Sequence, residues 1–328
     1  MARHLIFAAT ILLAVAPAVA ELADPLYIAN RNPFVAIYGL PGAESGYLPA
    51  ADTLETGLFL DVANNWHPSR NGNEAVDLDG ESYRGDLRLR FGVNARWATG
   101  FDLAYLRHNG GFADGLVDGF HDLFGMQDAD RAKYPRDQLL YRYARDGVDQ
   151  VRVDRDSQDF AEMRWSLGYQ WLRDAHQGLA LRAGVKLSLG DADELTGSQT
   201  TDLYASLNYS RLTSLWGSPL TWHVSGGALW MDKAEVLDAI RRDWVAFGSG
   251  SVSWAVREWW HWKLQLDTHS AFYHSDKSQL GRPAAQLTLG ATAALGRTWA
   301  LDLGLVEDVA ADTSPDVVFH FGLRRTYQ

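Results

Sequence analysis

The stretch that decides the fold is Trp260–Tyr273, WHWKLQLDTHSAFY, which alternates apolar and polar side chains with a period of two. Apart from small residues, one parity carries Trp260, Trp262, Leu264, Leu266, Thr268 and Phe272. The other carries His261, Lys263, Gln265, Asp267, His269 and Tyr273. Because successive side chains of a β-strand point to opposite faces, this segment has one apolar face and one ionic face. The pattern therefore predicts a strand whose two sides meet different environments.

The same alternation recurs along the chain and predicts about twelve strands. Each can supply the ~9–11 residues that a tilted transmembrane strand needs. The predicted strands span residues 54–66, 80–94, 97–108, 159–172, 178–190, 201–211, 219–231, 243–255, 259–274, 284–295, 298–309 and 315–327.

The connections between these strands mostly alternate between longer and shorter, which is typical of outer-membrane barrels with short periplasmic turns and long external loops. An even strand number brings both ends of the barrel to the periplasmic side and places residues 109–158 outside the cell. A soluble sandwich or lipocalin-like barrel is the alternative. It is disfavoured because the polar face is strongly ionic, and because tryptophans cluster near the ends of the apolar faces, as at membrane interfaces. We therefore expect an all-β, transmembrane antiparallel barrel.

The composition of the chain argues against several classes of function. The 328 residues are 47% hydrophobic, include 13 Trp and no Cys, and carry a net charge of −11. An acidic chain is a poor partner for nucleic acid. Without cysteine, neither a disulfide framework nor a thiolate metal site can form. We expect no cofactor, no bound metal and no nucleic-acid partner.

The N-terminus resembles an export signal. Arg3 precedes an uncharged run from Leu5 to Val19, and Ala18-Val19-Ala20 matches a small-residue cleavage site. We therefore expect residues 1–20 to be removed and the protein to reach the outer membrane of a Gram-negative bacterium. Its expected partners are outer-membrane lipids, lipopolysaccharide and the barrel-assembly machinery. The oligomeric state stays open.

Residues 21–52 precede the first strand and show little alternation. Prolines recur there at eight-residue intervals, at positions 25, 33, 41 and 49. We expect an N-terminal segment that is either a periplasmic tether or a luminal plug, followed by the barrel at 53–328.

The ionic faces supply the candidate lumen. Eight basic side chains stand against seven acidic ones, which are Glu55, Asp61 and the five named below, and this near balance favours paired charges over a strongly selective pore. The candidate lumen-lining residues, histidines included, are Arg84, Asp86, Arg88, Arg90, Asp102, Glu162, Arg164, Arg182, Lys186, His223, His261, Lys263, Asp267, His269, Asp302, His320 and Arg324.

The long loop suggests a constriction. Helical spacing of apolar residues between Asp114 and Gly125 predicts a short amphipathic helix that folds into the mouth or lies over the rim. The candidate residues of this constriction are Asp114, Phe120, His121, Asp122 and Phe124.

Three functions remain open on these grounds. The first is a narrow channel or uptake protein for small polar solutes, and the second is a closed structural or surface-binding barrel. The third is a lipid-modifying hydrolase, which needs a positioned base; His121 and His274 are candidates for it. No residue is assigned as catalytic, because these clusters are common by chance. His261 and His269 lie roughly 26 Å apart along one strand, so they cannot share a metal ion.

A family resemblance rests on separate motifs. They are Asn32-Pro33-Phe34 followed by Tyr38-Gly39-Leu40-Pro41, then DGESYR at 79–84, HNGG at 108–111, DG at 114–115, FHD at 120–122, FG at 124–125 and VVFHFG at 317–322. This set resembles the bacterial outer-membrane family catalogued as domain of unknown function 3187. The resemblance implies an outer-membrane β-barrel and no established activity.

Overall fold

The computed structural model describes residues 22–69, 72–111, 138–233, 235–310 and 312–328. In this part of the chain, twelve strands form a closed antiparallel barrel and two more form a hairpin beside it. The barrel strands are β1 Leu54–Ser69, β2 Glu74–Gly92, β3 Trp97–Asn109, β6 Ser157–Arg173, β7 Gln177–Ser188, β8 Thr201–Leu215, β9 Ser218–Met231, β10 Trp244–Arg257, β11 Trp260–His269, β12 Ala284–Leu295, β13 Trp299–Ala310 and β14 Val317–Tyr327.

Closure of the barrel comes from β1, which pairs with β2 on one side and with β14 on the other. Leu54 lies opposite Tyr327 and Phe91, so the first and last strands are fully in register at one end. The expected all-β barrel of about twelve antiparallel strands is confirmed. A closed barrel leaves no unpaired sheet edge, which is what a spanning sheet requires.

The hairpin was not predicted. Its strands, β4 Leu140–Arg145 and β5 Val148–Val153, lie within the segment treated above as one loop. β4 pairs with residues 74–79 of β2, so β2 starts six residues earlier than its sequence pattern predicts. Asp146 and Gly147 join β4 to β5 with φ of 51° and 77°, as a two-residue turn with left-handed residues requires.

The predicted end of the strand at 259–274 was wrong, because β11 stops at His269. Beyond it, Phe272 and Tyr273 are both fully buried although they are neighbours in sequence. A strand would send them to opposite faces. Packing inside the molecule has overridden the alternation here.

The two ends of the barrel differ. Turns at residues 93–96, 174–176, 216–217, 258–259 and 296–298 define the short-turn end, where β1 begins and β14 ends. Trp216 and Gly217 connect β8 to β9 with φ of 51° and 79°, so this tight turn needs a residue that accepts the left-handed region. The opposite end, called the loop end, carries the longer connections and the β4–β5 hairpin.

The outward face is apolar. Leu58, Leu264 and Leu289 each expose half or more of their surface. Exposed tryptophans concentrate toward the short-turn end, a placement typical of a membrane interface; they include Trp97, Trp171, Trp216, Trp222, Trp259, Trp262 and Trp299.

The lumen is occupied by residues 22–53, called the luminal segment. Its first part, the ascending limb (22–29), runs toward the loop end. The tip (30–38) contains the helix α1 Pro33–Ala36, and the return limb (39–53) leads back to β1. A second short helix, α2 Ser278–Gly281, lies in the loop after β11. No helix in the described part of the chain has the length and apolarity of a membrane span.

Candidate functional site

The candidate site is the barrel lumen together with the segment that fills it. All seventeen lumen-lining candidates lie on the inward parity of their strands, where each is buried or mostly buried. The Lys186 and His320 side chains are fully enclosed, whereas Arg324 keeps 19% of its side chain exposed. The period-two pattern explains this placement, because one parity of every strand faces inward.

Two sets of sequence predictions lie outside the described residues. The export signal at 1–20 is one of them, and it stays a prediction. The other is the loop constriction of Asp114, Phe120, His121, Asp122 and Phe124.

The ascending limb is held to the wall through its backbone. Gln265 of β11 bonds Leu26 twice, since its Oε1 accepts from the Leu26 N–H at 2.9 Å and its Nε2 donates to the Leu26 carbonyl at 3.0 Å. The Ala23 carbonyl pairs with His223 Nε2 at 2.7 Å, and Lys263 donates to the Asp24 carbonyl. Buried backbone groups need such partners, and here wall side chains provide them. Gln265 was missed because its polar position in β11 gave no signal of a specific partner.

The tip is built around Asn32, in the first of the resemblance motifs. Its Oδ1 accepts from the Phe34 N–H at 3.0 Å and caps α1, with Pro33 at the first helical position. Its Nδ2 donates to the carbonyls of Gln279 and Thr313, at 3.2 and 3.3 Å. One amide therefore shapes the tip and ties it to two loops.

Arg31 adds a charge to the tip. Its guanidinium lies 2.6 Å from the Asp61 carboxylate of β1 and 3.5 Å from that of Asp86 on β2. Asp61 also pairs with His320 Nδ1 at 2.6 Å. The luminal segment thus supplies the cation that two wall carboxylates of the barrel share.

The loop after β11 covers the tip. Phe34, Ile37 and Tyr38 belong to one buried apolar cluster that includes Phe272 and Tyr273. The Tyr273 hydroxyl donates to the Phe34 carbonyl at 2.7 Å. Burial raises the pKa of Tyr273 well above its usual range, so the phenol stays protonated and keeps this donor.

Leu40 of the return limb still belongs to the apolar cluster of the tip, and Leu48 packs against Ala98 and Ala180, but polar contacts hold the limb between them. Gln170 of β6 accepts from the Leu48 N–H at 2.8 Å and donates to the Gly46 carbonyl at 2.7 Å. Ser210 Oγ accepts from the Gly46 N–H at 2.7 Å. At Gly46 a Cβ would lie 2.3 Å from the Gly178 carbonyl oxygen, so only glycine permits this approach to the wall.

Glu44 is the charged centre of the return limb. Its Oε1 lies 2.9 Å from Arg88 and 3.2 Å from Arg90, and its Oε2 lies 2.9 Å from Arg182. Arg90 also pairs with Asp102 at 2.6 Å. One carboxylate of the luminal segment therefore connects two strands of the wall, β2 and β7.

Other wall charges are paired with one another. Glu162 lies 2.8 Å from both Arg84 and Arg164, and Arg324 lies 2.6 Å from Asp302. Lys186 and Asp202 form a pair at 3.2 Å with both side chains fully buried. Such pairing lowers the cost of placing charges in an enclosed lumen.

Space remains between the return limb and the wall. A cavity that is partly open to solvent lies toward the short-turn end and is lined by Glu44, Arg88, Arg90, Arg182 and Arg324 among others. A smaller cavity lies beside Asp267 and His269.

Of the two candidate bases for a hydrolase, His121 lies outside the described residues and His274 is exposed in the loop after β11. Ser275 donates to Glu74 of β2, which fastens the loop after β11 to that strand. Ser82 and Ser210 do contact histidines, His108 and His223, at 2.8 and 2.7 Å, but all four side chains are buried. Across the described ranges, no three His, Asp or Glu side chains are placed to hold one metal ion.

Comparison of the fold finds bacterial outer-membrane barrels. The COG4313 outer membrane channel from Pseudomonas putida F1 is similar over 86% of this chain and 97% of its own, at 12% identity and a TM-score of 0.55. The NanC porin is matched over 83% and 98% at 8% identity and a TM-score of 0.45. The β domain of the Bordetella autotransporter BrkA is matched over 84% and 100% at 14% identity and a TM-score of 0.45. At these identities the likeness concerns the fold, and only the first exceeds a TM-score of 0.5.

Sequence comparison gives the family. No curated protein matches the sequence significantly. The family model described as "Protein of unknown function (DUF3187)" matches residues 3–327, which is almost the whole length. The resemblance carried by the motifs is confirmed, and the chain belongs to the DUF3187 family.

Proposed function

We propose that this protein is an outer-membrane channel for small polar solutes, closed in the described conformation by its luminal segment. After removal of residues 1–20 the barrel spans the outer membrane with the short-turn end in the periplasm. Its apolar outer face contacts lipids, including lipopolysaccharide, and the barrel-assembly machinery inserts it.

The observation that carries the proposal is the noncovalent, polar attachment of the return limb to a polar wall. Gln170, Ser210 and the three arginines around Glu44 hold this limb through hydrogen bonds and ion pairs. Polar or charged groups that enter from solution can take over such contacts, whereas buried apolar packing can be replaced only by apolar groups. Movement of the return limb would join this cavity to the rest of the lumen.

A second function, a closed structural or surface-binding barrel, is favoured by a different observation. The tip packs into an apolar cluster beneath the loops, and Arg31 completes an ion pair with Asp61 there. If the whole luminal segment stays in place, the protein offers only its outer surface and loops to partners.

A reversible crosslink tests the two functions against each other. The Ser45 and Ser210 hydroxyls lie 3.4 Å apart, one on the return limb and one on β8, and the chain has no cysteine of its own. In the variant Ser45→Cys/Ser210→Cys, oxidation would fasten the limb to the wall with nearly isosteric residues. Single-channel conductance in a planar bilayer is measured before and after reduction, with a heat-sensitive gel shift as the folding control.

The channel function predicts discrete conductance steps in the wild type and the reduced variant, and their loss on oxidation. The single variants Ser45→Cys and Ser210→Cys control for effects of the oxidant and should conduct under both conditions. Folded wild-type protein that gives no steps would reject the channel and favour the closed barrel. Steps that persist after complete crosslinking would reject gating by the return limb.

A further inference from the structure

The carboxylate of Glu44 occupies a position built for an anion. Three guanidinium groups from β2 and β7 converge on its two oxygens, at 2.9 to 3.2 Å. Their side chains are only 7–12% exposed, so the cluster is largely shielded from water. Planar guanidinium groups match the geometry of a carboxylate better than any other side chain does.

The charge of the neighbouring cavity is divided between wall and luminal segment. The wall contributes four inward-facing arginines to the lining, Arg88, Arg90, Arg182 and Arg324, and two carboxylates, Glu55 and Asp302. The luminal segment contributes the carboxylates of Asp24 and Glu44 and no basic side chain. Arg324 is paired with Asp302 of the wall, whereas Arg88, Arg90 and Arg182 share the Glu44 carboxylate of the luminal segment.

The opposite arrangement holds at the tip. There the luminal segment supplies the cation, Arg31, and the wall supplies the carboxylates of Asp61 and Asp86. The arginine cluster is thus a local feature beside the cavity. An anion in the place of Glu44 would keep these three guanidinium groups paired.

If Glu44 moved away, Arg88 and Arg90 would keep their contacts with the wall carboxylate of Asp102. Arg182 would lose its ion pair with Glu44. Largely buried cations without enough partners are costly, and a small anion that enters from the cavity would remove that cost. The same anion would compete with the return limb for the arginines, so binding would favour the displaced limb.

We propose that Arg88, Arg90 and Arg182 form a binding site for carboxylate solutes, and that the Glu44 carboxylate occupies the ligand position in the described conformation. This deepens the proposed function, on which it rests for the consequence in transport, by naming small carboxylates as the solute class. The site itself is a property of the folded barrel and can be tested without measuring transport.

The test uses acetate and the variant Glu44→Ala. This substitution removes a CH₂–COO⁻ group, which acetate resembles in size and charge. The temperature of the heat-sensitive gel shift is measured for the full-length refolded protein in sodium acetate and in sodium chloride at equal ionic strength. We expect acetate to raise the transition of Glu44→Ala by several degrees, saturably, and to leave the wild type within about one degree, because a ligand stabilises only the state that binds it.

The double variant Glu44→Ala/Arg182→Gln is the matched control, in which the acetate effect should fall by at least half. Equal stabilisation by acetate and chloride, or an undiminished effect in the double variant, would overturn the site. If Glu44→Ala refolds only in part, its refolding yield becomes the readout, and a yield that acetate does not raise above that in chloride overturns the site equally.

The two proposals fail separately. Stabilisation by acetate in a protein that never conducts would reject the channel and keep the carboxylate site. Gated conductance without stabilisation by acetate would keep the channel and reject this solute class.

Discussion

The tip and the return limb are parts of one luminal segment, yet different forces hold them. At the tip, Phe34, Ile37 and Tyr38 are almost fully buried in the apolar cluster beneath the loops. The return limb instead presents backbone amides and the Glu44 carboxylate to polar wall residues beside a cavity. Apolar burial can be regained only by apolar packing, whereas water, ions or a solute can take over polar contacts. The difference teaches that the tip is suited to anchor the segment and the return limb is suited to move.

The largest expected effect tests the anchor. Phe34→Ala removes a fully buried ring from the apolar cluster and should lower the free energy of unfolding by about 3–5 kcal/mol. Urea unfolding of the refolded barrel in detergent measures it. A loss below about 1 kcal/mol would mean that the cluster relaxes around the gap and that the tip is not the anchor.

The return limb should respond in conductance more than in stability. Gln170→Ala removes the side chain that bonds both Leu48 and Gly46, and should cost about 1–3 kcal/mol by leaving these backbone groups unpaired. If the limb moves as proposed, the channel should also open more often in planar bilayers. If Gln170→Ala lowers the free energy of unfolding but leaves the opening frequency unchanged, the return limb does not control gating.

The contact of Tyr273 with the tip allows a finer test. Tyr273→Phe keeps the ring but removes the hydroxyl that donates to the Phe34 carbonyl, at a cost of about 1 kcal/mol. Because burial raises the pKa of this phenol in the folded protein, the unfolded chain loses the proton first, so the wild type should lose stability relative to Tyr273→Phe as the pH rises above 10. Equal losses of stability above pH 10 in the wild type and in Tyr273→Phe would contradict the enclosed position of the phenol.

The smallest effect is expected on the exposed side of the return limb. The Tyr47 hydroxyl lies 3.4 Å from the carbonyl of Asp174, in an exposed contact at the short-turn end. Tyr47→Phe should change the free energy of unfolding by less than about 0.5 kcal/mol. The variant serves as a control for Gln170→Ala, since both affect the same limb. A larger loss of stability would show that the Tyr47 contact at the short-turn end also holds the limb.

Much of the barrel could be predicted because alternation is a local property. The inward parity of β2, with Arg84, Asp86, Arg88 and Arg90, can be read directly from sequence and matches the buried face. The β4–β5 hairpin was missed although it carries a signal, Tyr141 and Tyr143 flanking Arg142 and an Asp146-Gly147 turn. Its strands are only six residues long, and their partner is an extension of β2 about sixty residues earlier, which no local pattern reveals.

The candidate site was predictable only in part. Sequence identified the wall charges and left residues 21–52 as either a tether or a plug. It gave no sign that Arg31 and Glu44 complete the ion pairs of the wall. The alternating pattern continues past His269 in the sequence. In the structure, Phe272 and Tyr273 lie beyond the end of the strand and cover the tip.

By itself, then, the sequence determined an all-β closed barrel with an ionic interior and an apolar exterior, because side-chain parity is fixed by the strand backbone. The tertiary structure alone decided that the luminal segment fills that interior and which charges meet there. Asn30 reaches His269 across 239 positions, and Glu44 reaches Arg182 on the seventh strand. Contacts of this kind depend on how strands from the whole chain close around one space, and no local periodicity encodes that closure.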